Sequence, residues 1–205
     1  MYILKVNCDK LYIEHINVKI LKGGFLMNLP NKLTVFRMCM VPLLVIFMYL
    51  PIPGRYLISL IIFIVAAITD ALDGNIARKY NLVTDFGKFM DPLADKLLVI
   101  AALICLIEVR LVPGWIVLII VARELAVSIM RAIAAADGNV IAAGNSGKIK
   151  TIVQMISIIL LLFGAHLDSS KIIIAGQILI YIAAALTVYS GYEYFSKNKY
   201  LFEDR

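Results

Sequence analysis

The sequence predicts an all-α integral membrane protein of six transmembrane helices, and three observations carry that expectation. Hydrophobic residues make up 62% of the 205 and charged residues only 17%, against about 45–50% and 25% in a soluble globular chain. Mean hydropathy is +0.91. The apolar residues are also gathered into runs near the ~20 residues that a spanning helix needs, and an ordinary soluble core has no use for such runs. A disordered chain is excluded on the same grounds.

The segments follow in order. Leu33–Leu50 comes first and is closed by Pro51-Ile52-Pro53-Gly54. Leu57–Ile76 is the second, and Phe89–Ile107 the third, ended by Pro113-Gly114. Pro113–Ala135 precedes Asp137-Gly138-Asn139. Thr151–Ala165 is short, with a start as early as Gly147 open, and stops at Asp168-Ser169-Ser170. Ile172–Phe195 is the last. Each boundary is a cluster of residues that favour turns over helix.

Lysine and arginine set the orientation. With the first residues inside, the outer loops hold only Arg55, Arg110 and Lys171. The inner side holds Arg78, Lys79, Lys88, Lys96, Arg131, Lys148, Lys150, Lys197, Lys199 and Arg205. That asymmetry places both termini in the cytoplasm; a multi-pass place in the cell (plasma) membrane is expected. It also accounts for the net charge of +6 without a nucleic-acid partner. Trp115, Tyr192, Tyr194 and Phe195 suit interfacial anchors. Cys8, Cys39 and Cys105 form no framework, and His15 and His166 have no partner at ligand spacing. Residues 1–26 form an extension with scattered lysines and no secretory-signal core. It is either a surface helix of poor periodicity or upstream sequence read through before a true start at Met27. The latter fits Lys22-Gly23-Gly24, which an AAAGGAGG ribosome-binding sequence would encode. Residues 27–205 form the membrane domain.

The chemistry lies in Asp70-Ala-Leu-Asp73-Gly74-Asn-Ile-Ala77-Arg78 and Gly87-Lys-Phe-Met-Asp91-Pro-Leu-Ala-Asp95. Asp70 and Asp73 share a face at the inner end of the second helix; Asp91 and Asp95 share one at the start of the third. A short connection makes the two helices antiparallel neighbours, so the four carboxylates can converge. Unpaired, they would repel one another at the membrane boundary. Divalent cations relieve that cost, and an all-oxygen set points to Mg²⁺ or Mn²⁺. A metal pair is a usual clamp for displacement at phosphorus. Gly74 permits close approach to the backbone, and Arg78 offers a bidentate phosphate contact. A solvated rim, with the carboxylates paired to Arg78, Lys79, Lys88 and Lys96, would explain one aspartate better than four.

The pattern Asp-x2-Asp-Gly-x2-Ala-Arg-x8-Gly-x3-Asp-x3-Asp is matched at every fixed position and resembles the signature of the CDP-alcohol phosphatidyltransferases. The six-span layout extends that resemblance over about Asn28–Phe195. It implies transfer of a phosphatidyl group from CDP-diacylglycerol, a membrane lipid, to an alcohol, with release of CMP, usually by a homodimer. It further implies a dinuclear site at the cytoplasmic ends of helices 2 and 3. Asp70, Asp73 and Asp91 would be metal ligands, and Asp95 the general base and a ligand of the second cation. Gly74, Arg78 and Thr84 would contact the CDP group, as would Asn31 and Thr34, for which helix capping is the plain alternative.

The acceptor is read from further basic residues. Arg123 lies deep in the fourth segment and needs a partner or a task. Its neighbour Glu124 points to another face, so contacts across helices are expected to outweigh a local pair. Arg131 shares the face of Arg123, and Lys148 and Lys150 open the fifth helix from the same side. Together they suit an acceptor that carries a phosphate, although loop charge and a structural ion pair are open alternatives. Asn28-Leu-Pro-Asn31-Lys-Leu-Thr34, Arg123-Glu124 and Gly147-Lys148-Ile-Lys150-Thr151 resemble the branch of the family that forms phosphatidylglycerophosphate, which implies glycerol 3-phosphate. Rivals are a sibling using serine, inositol, inositol phosphate or phosphatidylglycerol, a membrane prenyltransferase, and a cation transporter. The prenyltransferase would need separated Asp-rich motifs and more spans. The transporter would place its carboxylates near the bilayer midplane.

Overall fold

The structure, a computed structural model, describes residues 29–80, 85–136 and 144–198; within these, the side chains at 29–31, 71–80, 85–89, 91, 92, 95, 136 and 145 lie outside the description. Among the described residues it is all-helical. The helices are α1 (Leu29–Tyr49), α2 (Arg55–Tyr80), α3 (Asp85–Glu108), α4 (Gly114–Ala136), α5 (Asn145–His166) and α6 (Ser170–Lys197). Each stands on one of the apolar segments. The fifth takes its earlier start, because Asn145 to Lys150 continue the helix through the basic run instead of forming a loop.

The turns explain the boundaries. Gly54 adopts φ +77°, which costs glycine little, and its carbonyl accepts the Ile58 N–H as α2 begins. Arg110 and Asp168 occupy the left-handed region at the ends of α3 and α5. There Leu111 N donates to Leu106 O at 2.9 Å and Ser169 N to Gly164 O at 3.0 Å. These bonds satisfy last-turn carbonyls in the Schellman manner, with residues other than glycine at the turning position.

Phe63, Leu98, Leu103, Ile116, Ile120, Ile158, Leu161 and Ile180 are buried at the centre. The outward faces are apolar too, at Ile68, Ile104, Leu118, Ile129, Ile178 and Val188. Helices apolar on every side suit a hydrocarbon surround. Three of them, over Lys32–Tyr49, Ser146–His166 and Ser170–Lys197, are long and apolar enough to cross a membrane. The other three, α2, α3 and α4, include Asp70, Lys96, Arg123, Glu124 and Arg131.

Helices α5 and α6 form the most extensive pair. A Cβ on Gly164 would lie 2.9 Å from the backbone nitrogen of Ile173, and one on Gly176 would lie 2.8 Å from the Leu161 side chain. The two backbones therefore approach closely, and the Ser157 hydroxyl donates to Gly176 O at 2.8 Å across the contact. α4 packs on α6, and α1 packs against both α2 and α3. Among the described residues α2 and α3 meet directly over only a short stretch. α1 supplies much of the described surface on which each of them rests.

Candidate functional site

The aspartate motif sits on two helices. Asp70 and Asp73 lie in the C-terminal half of α2 with Gly74 and Arg78, while Asp91 and Asp95 lie in the first turns of α3. The side chains of Asp73, Arg78, Asp91 and Asp95 are outside the description, as is Thr84 altogether. Among the described residues no group of three metal-ligating side chains assembles, so convergence of the four carboxylates is left as a sequence expectation.

Asp70 is described, and it has a partner that sequence reasoning missed. The Arg37 Nη1 of α1 stands 2.6 Å from Asp70 Oδ1, with the arginine side chain fully buried and the aspartate 41% exposed. A buried charge requires such pairing, and an arginine inside an apolar segment is the signal that could have found it. Thr34, one turn before Arg37, is also fully buried. Because α1 starts at Leu29, Asn31 and Thr34 fall inside the helix and not at its cap.

A second feature is a cavity of about 710 Å³ between α4, α5 and α6, reached by α3 through Lys96. Lys96 directly follows Asp95 in the chain. Three of the four basic residues picked from the sequence line it: Arg123, Arg131 and Lys148. Lys197 lines it as well, and so do two carboxylates, Glu124 and Glu193. Basic side chains therefore outnumber acidic ones, which favours an anion.

Each cation is held differently. Arg123 is mostly buried, 13% exposed, and its Nη1 donates to Glu124 Oε1 at 3.0 Å. The expectation against an adjacent pair is thus overturned, because the arginine stem is long enough to bring the guanidinium back to the next side chain. A Cβ on Gly191 would lie 3.2 Å from Arg123 Cγ, and one on Gly147 would lie 3.7 Å from Nη2. Gly191 on α6 therefore leaves room for the arginine stem, while at Gly147 a side chain would meet Nη2 only in ordinary contact. Arg131 is exposed, with its guanidinium carbon 5.5 Å from the centre of the Tyr194 ring. Lys148 is exposed at the start of α5.

Lys150 does not line the cavity. It is buried and paired with Glu124 Oε1, the same oxygen that Arg123 uses. Its place two residues past Lys148 turns it toward α4, away from the open side. Among the lining residues, Ser146 Oγ donates to Glu193 Oε2, tying the start of α5 to the end of α6, and Lys197 Nζ donates to Glu193 Oε1 along α6, both at 2.6 Å. Lys96 and Lys197 read from the sequence only as inner-side charge and Tyr194 as an interfacial anchor, whereas Tyr194 is buried; Glu193 and Gly191 carry no sequence signal, since only the packing of α3 and α6 brings them here.

Comparison with known proteins adds the family. The family model described as CDP-alcohol phosphatidyltransferase matches residues 27–189. The chain is 46% identical over 184 residues to the CDP-diacylglycerol–glycerol-3-phosphate 3-phosphatidyltransferase of Bacillus subtilis (strain 168), covering 83% of this chain and 95% of that protein. It is 40% identical over 178 residues to the protein of the same name in Rickettsia bellii (strain RML369-C), covering 85% and 97%. The protein of that name in Haemophilus influenzae is 40% identical over 179 residues, covering 84% and 94%. With the family model spanning most of its length and relatives this similar matched nearly end to end, the chain belongs to the CDP-alcohol phosphatidyltransferase family.

Proposed function

We propose that this chain transfers the phosphatidyl group of CDP-diacylglycerol to glycerol 3-phosphate, releasing CMP and forming phosphatidylglycerophosphate. One observation carries the acceptor. The residue after Asp95 and the basic side chains Arg123, Arg131 and Lys148 line a single cavity. In this reading the proposed base works beside that cavity, whose excess of basic side chains suits a phosphorylated alcohol. The names of the relatives at 40–46% identity agree with that choice.

The donor set of Asp70, Asp73, Asp91 and Asp95 is all carboxylate, which fits two hard divalent cations, Mg²⁺ or Mn²⁺, better than a softer metal. When bound, such ions supply charge neutralisation at the diphosphate. The remaining roles belong to the protein. Arg78, Gly74, Thr84, Asn31 and Thr34 hold the CDP group. Arg123, Arg131 and Lys148 hold the acceptor phosphate, and Lys150 supports them through Glu124. Asp95 takes the proton of the acceptor hydroxyl as its oxygen forms a bond to the lipid-side phosphorus. The bond from that phosphorus to the CMP oxygen breaks, and CMP leaves. Such general-base help is worth roughly 10²–10⁴-fold.

In this reading all six helices span the plasma membrane, with the site and both termini in the cytoplasm. The functional unit is residues 27–205, acting as a homodimer. Glycerol without the phosphate is a poor acceptor, since it would leave the basic pocket unpaired. The test is CMP release by purified protein. Asn at position 70, 73, 91 or 95 abolishes release while leaving the protein in the membrane. Chelation does the same, with Mg²⁺ or Mn²⁺ restoring activity. Near-normal turnover by Asp95→Asn removes it as the base.

A further inference from the structure

A carboxylate in an anion-binding cavity repels the ligand that the cavity is built for, so the presence of Glu124 there calls for a physical account. Its Oε1 accepts from Arg123 Nη1 on its own helix and from the buried Lys150 on α5. Lys150 offsets the carboxylate, and the pair together adds no net charge to the cavity wall. The charge of Arg123 is thereby left for the ligand. Arginine has five N–H donors in a planar fork, so a bond at Nη1 orients the group without using up its donors. The stem is seated beside Gly191, and Nη2 passes Gly147 in the first turn of α5. The guanidinium is oriented by the Glu124 bond, and its stem lies in the space left beside Gly191.

We infer that Glu124 is the positioning residue of the acceptor site, anchored by Lys150, and that it acts by aiming Arg123 at the acceptor phosphate. This rests on the cavity being the acceptor site. A long side chain loses much rotamer freedom when it binds an anion, and fixing it beforehand removes that cost from binding. The consequence falls on affinity for the phosphorylated alcohol, with CDP-diacylglycerol little affected.

The rival account is a buried ion pair that merely joins α4 to α5. Replacing both members of such a pair with neutral residues of similar size often leaves stability unchanged. The experiment therefore uses the double variant Glu124→Gln/Lys150→Met, purified in detergent with CDP-diacylglycerol and glycerol 3-phosphate. Its KM for glycerol 3-phosphate rises about tenfold, as expected for loss of an aimed charge-assisted contact, while kcat and the KM for CDP-diacylglycerol change less than about twofold. Placed on Arg123→Ala, the same double change adds nothing, because the residue it positions is gone. A double variant with normal KM overturns the inference, as does a further rise on the Arg123→Ala background. If Arg123→Ala itself leaves the KM for glycerol 3-phosphate unchanged, the acceptor-site reading fails instead. Should the double variant not reach the membrane, Glu124→Asp carries the test. It keeps both charges but withdraws the carboxylate, so a raised KM supports the aiming role and an unchanged KM overturns it.

Discussion

Burial ranks the cations of the cavity, and the ranking can be measured. Arg123 is 13% exposed, held by Glu124 and flanked by two glycines, whereas Lys148 stands in the open at the start of α5. A contact from a fixed and largely desolvated arginine to a phosphate is worth about 1.5–3 kcal/mol. At about 1.4 kcal/mol per factor of ten, its loss corresponds to a rise of roughly ten- to hundredfold in KM. An exposed lysine is screened by water and keeps its rotamer freedom, so its contact is worth about 0.2–1 kcal/mol, a rise of fivefold or less. Arg131 falls between them, exposed but braced by the Tyr194 ring. The assay is CMP release by Arg123→Ala, Arg131→Ala and Lys148→Ala, with glycerol 3-phosphate varied at saturating CDP-diacylglycerol and then the reverse. The expected order of KM is Arg123→Ala, then Arg131→Ala, then Lys148→Ala, with the CDP-diacylglycerol KM nearly constant. A larger effect at Lys148 than at Arg123, or equal shifts for both substrates, would refute the reasoning.

Three further outcomes are expected. Gly164→Ala places a methyl group 2.9 Å from the Ile173 backbone, and overpacking of about 1–3 kcal/mol exceeds the ~1 kcal/mol gained in helix propensity. Its unfolding temperature in detergent falls, and an unchanged or raised value contradicts the close approach of α5 and α6. Single cysteines at Ser169 and near Pro53 label from outside intact cells while one at Asn198 does not; the opposite pattern reverses the proposed orientation. Deletion to Met27 preserves membrane insertion and turnover, and a large loss at equal protein level makes residues 1–26 a working part.

Hydropathy and turn chemistry alone place six helices, because apolar runs and Gly, Pro and Asp breaks are local properties of the chain. Pairing is another matter. Spacing on one helix puts Asp70 with Asp73, yet it does not reveal that Arg37 reaches Asp70 from α1, since that contact depends on α1 lying against α2. The basic residues divide the same way. Arg123 and Arg131, eight apart on α4, are legible as one face, and both line the cavity. Lys148 and Lys150 look equivalent in sequence, but a two-residue step on α5 turns one outward and the other into Glu124. The direction of each depends on where α4 stands, which no local pattern contains. Lys197 and Glu193 were illegible for a similar reason: the end of α6 looks like ordinary inner-loop charge until the fold brings it to the start of α5.

The most direct test of the proposed reaction is a competition for one donor. Purified protein is given CDP-diacylglycerol, Mg²⁺, and equal concentrations of glycerol 3-phosphate, glycerol, serine and inositol, and the lipid products are identified by mass spectrometry alongside CMP. The expected result is phosphatidylglycerophosphate as the dominant product, formed mole for mole with CMP. Phosphatidylserine or phosphatidylinositol in its place, or CMP released without a new lipid, would contradict the assignment of the cavity to a phosphorylated acceptor.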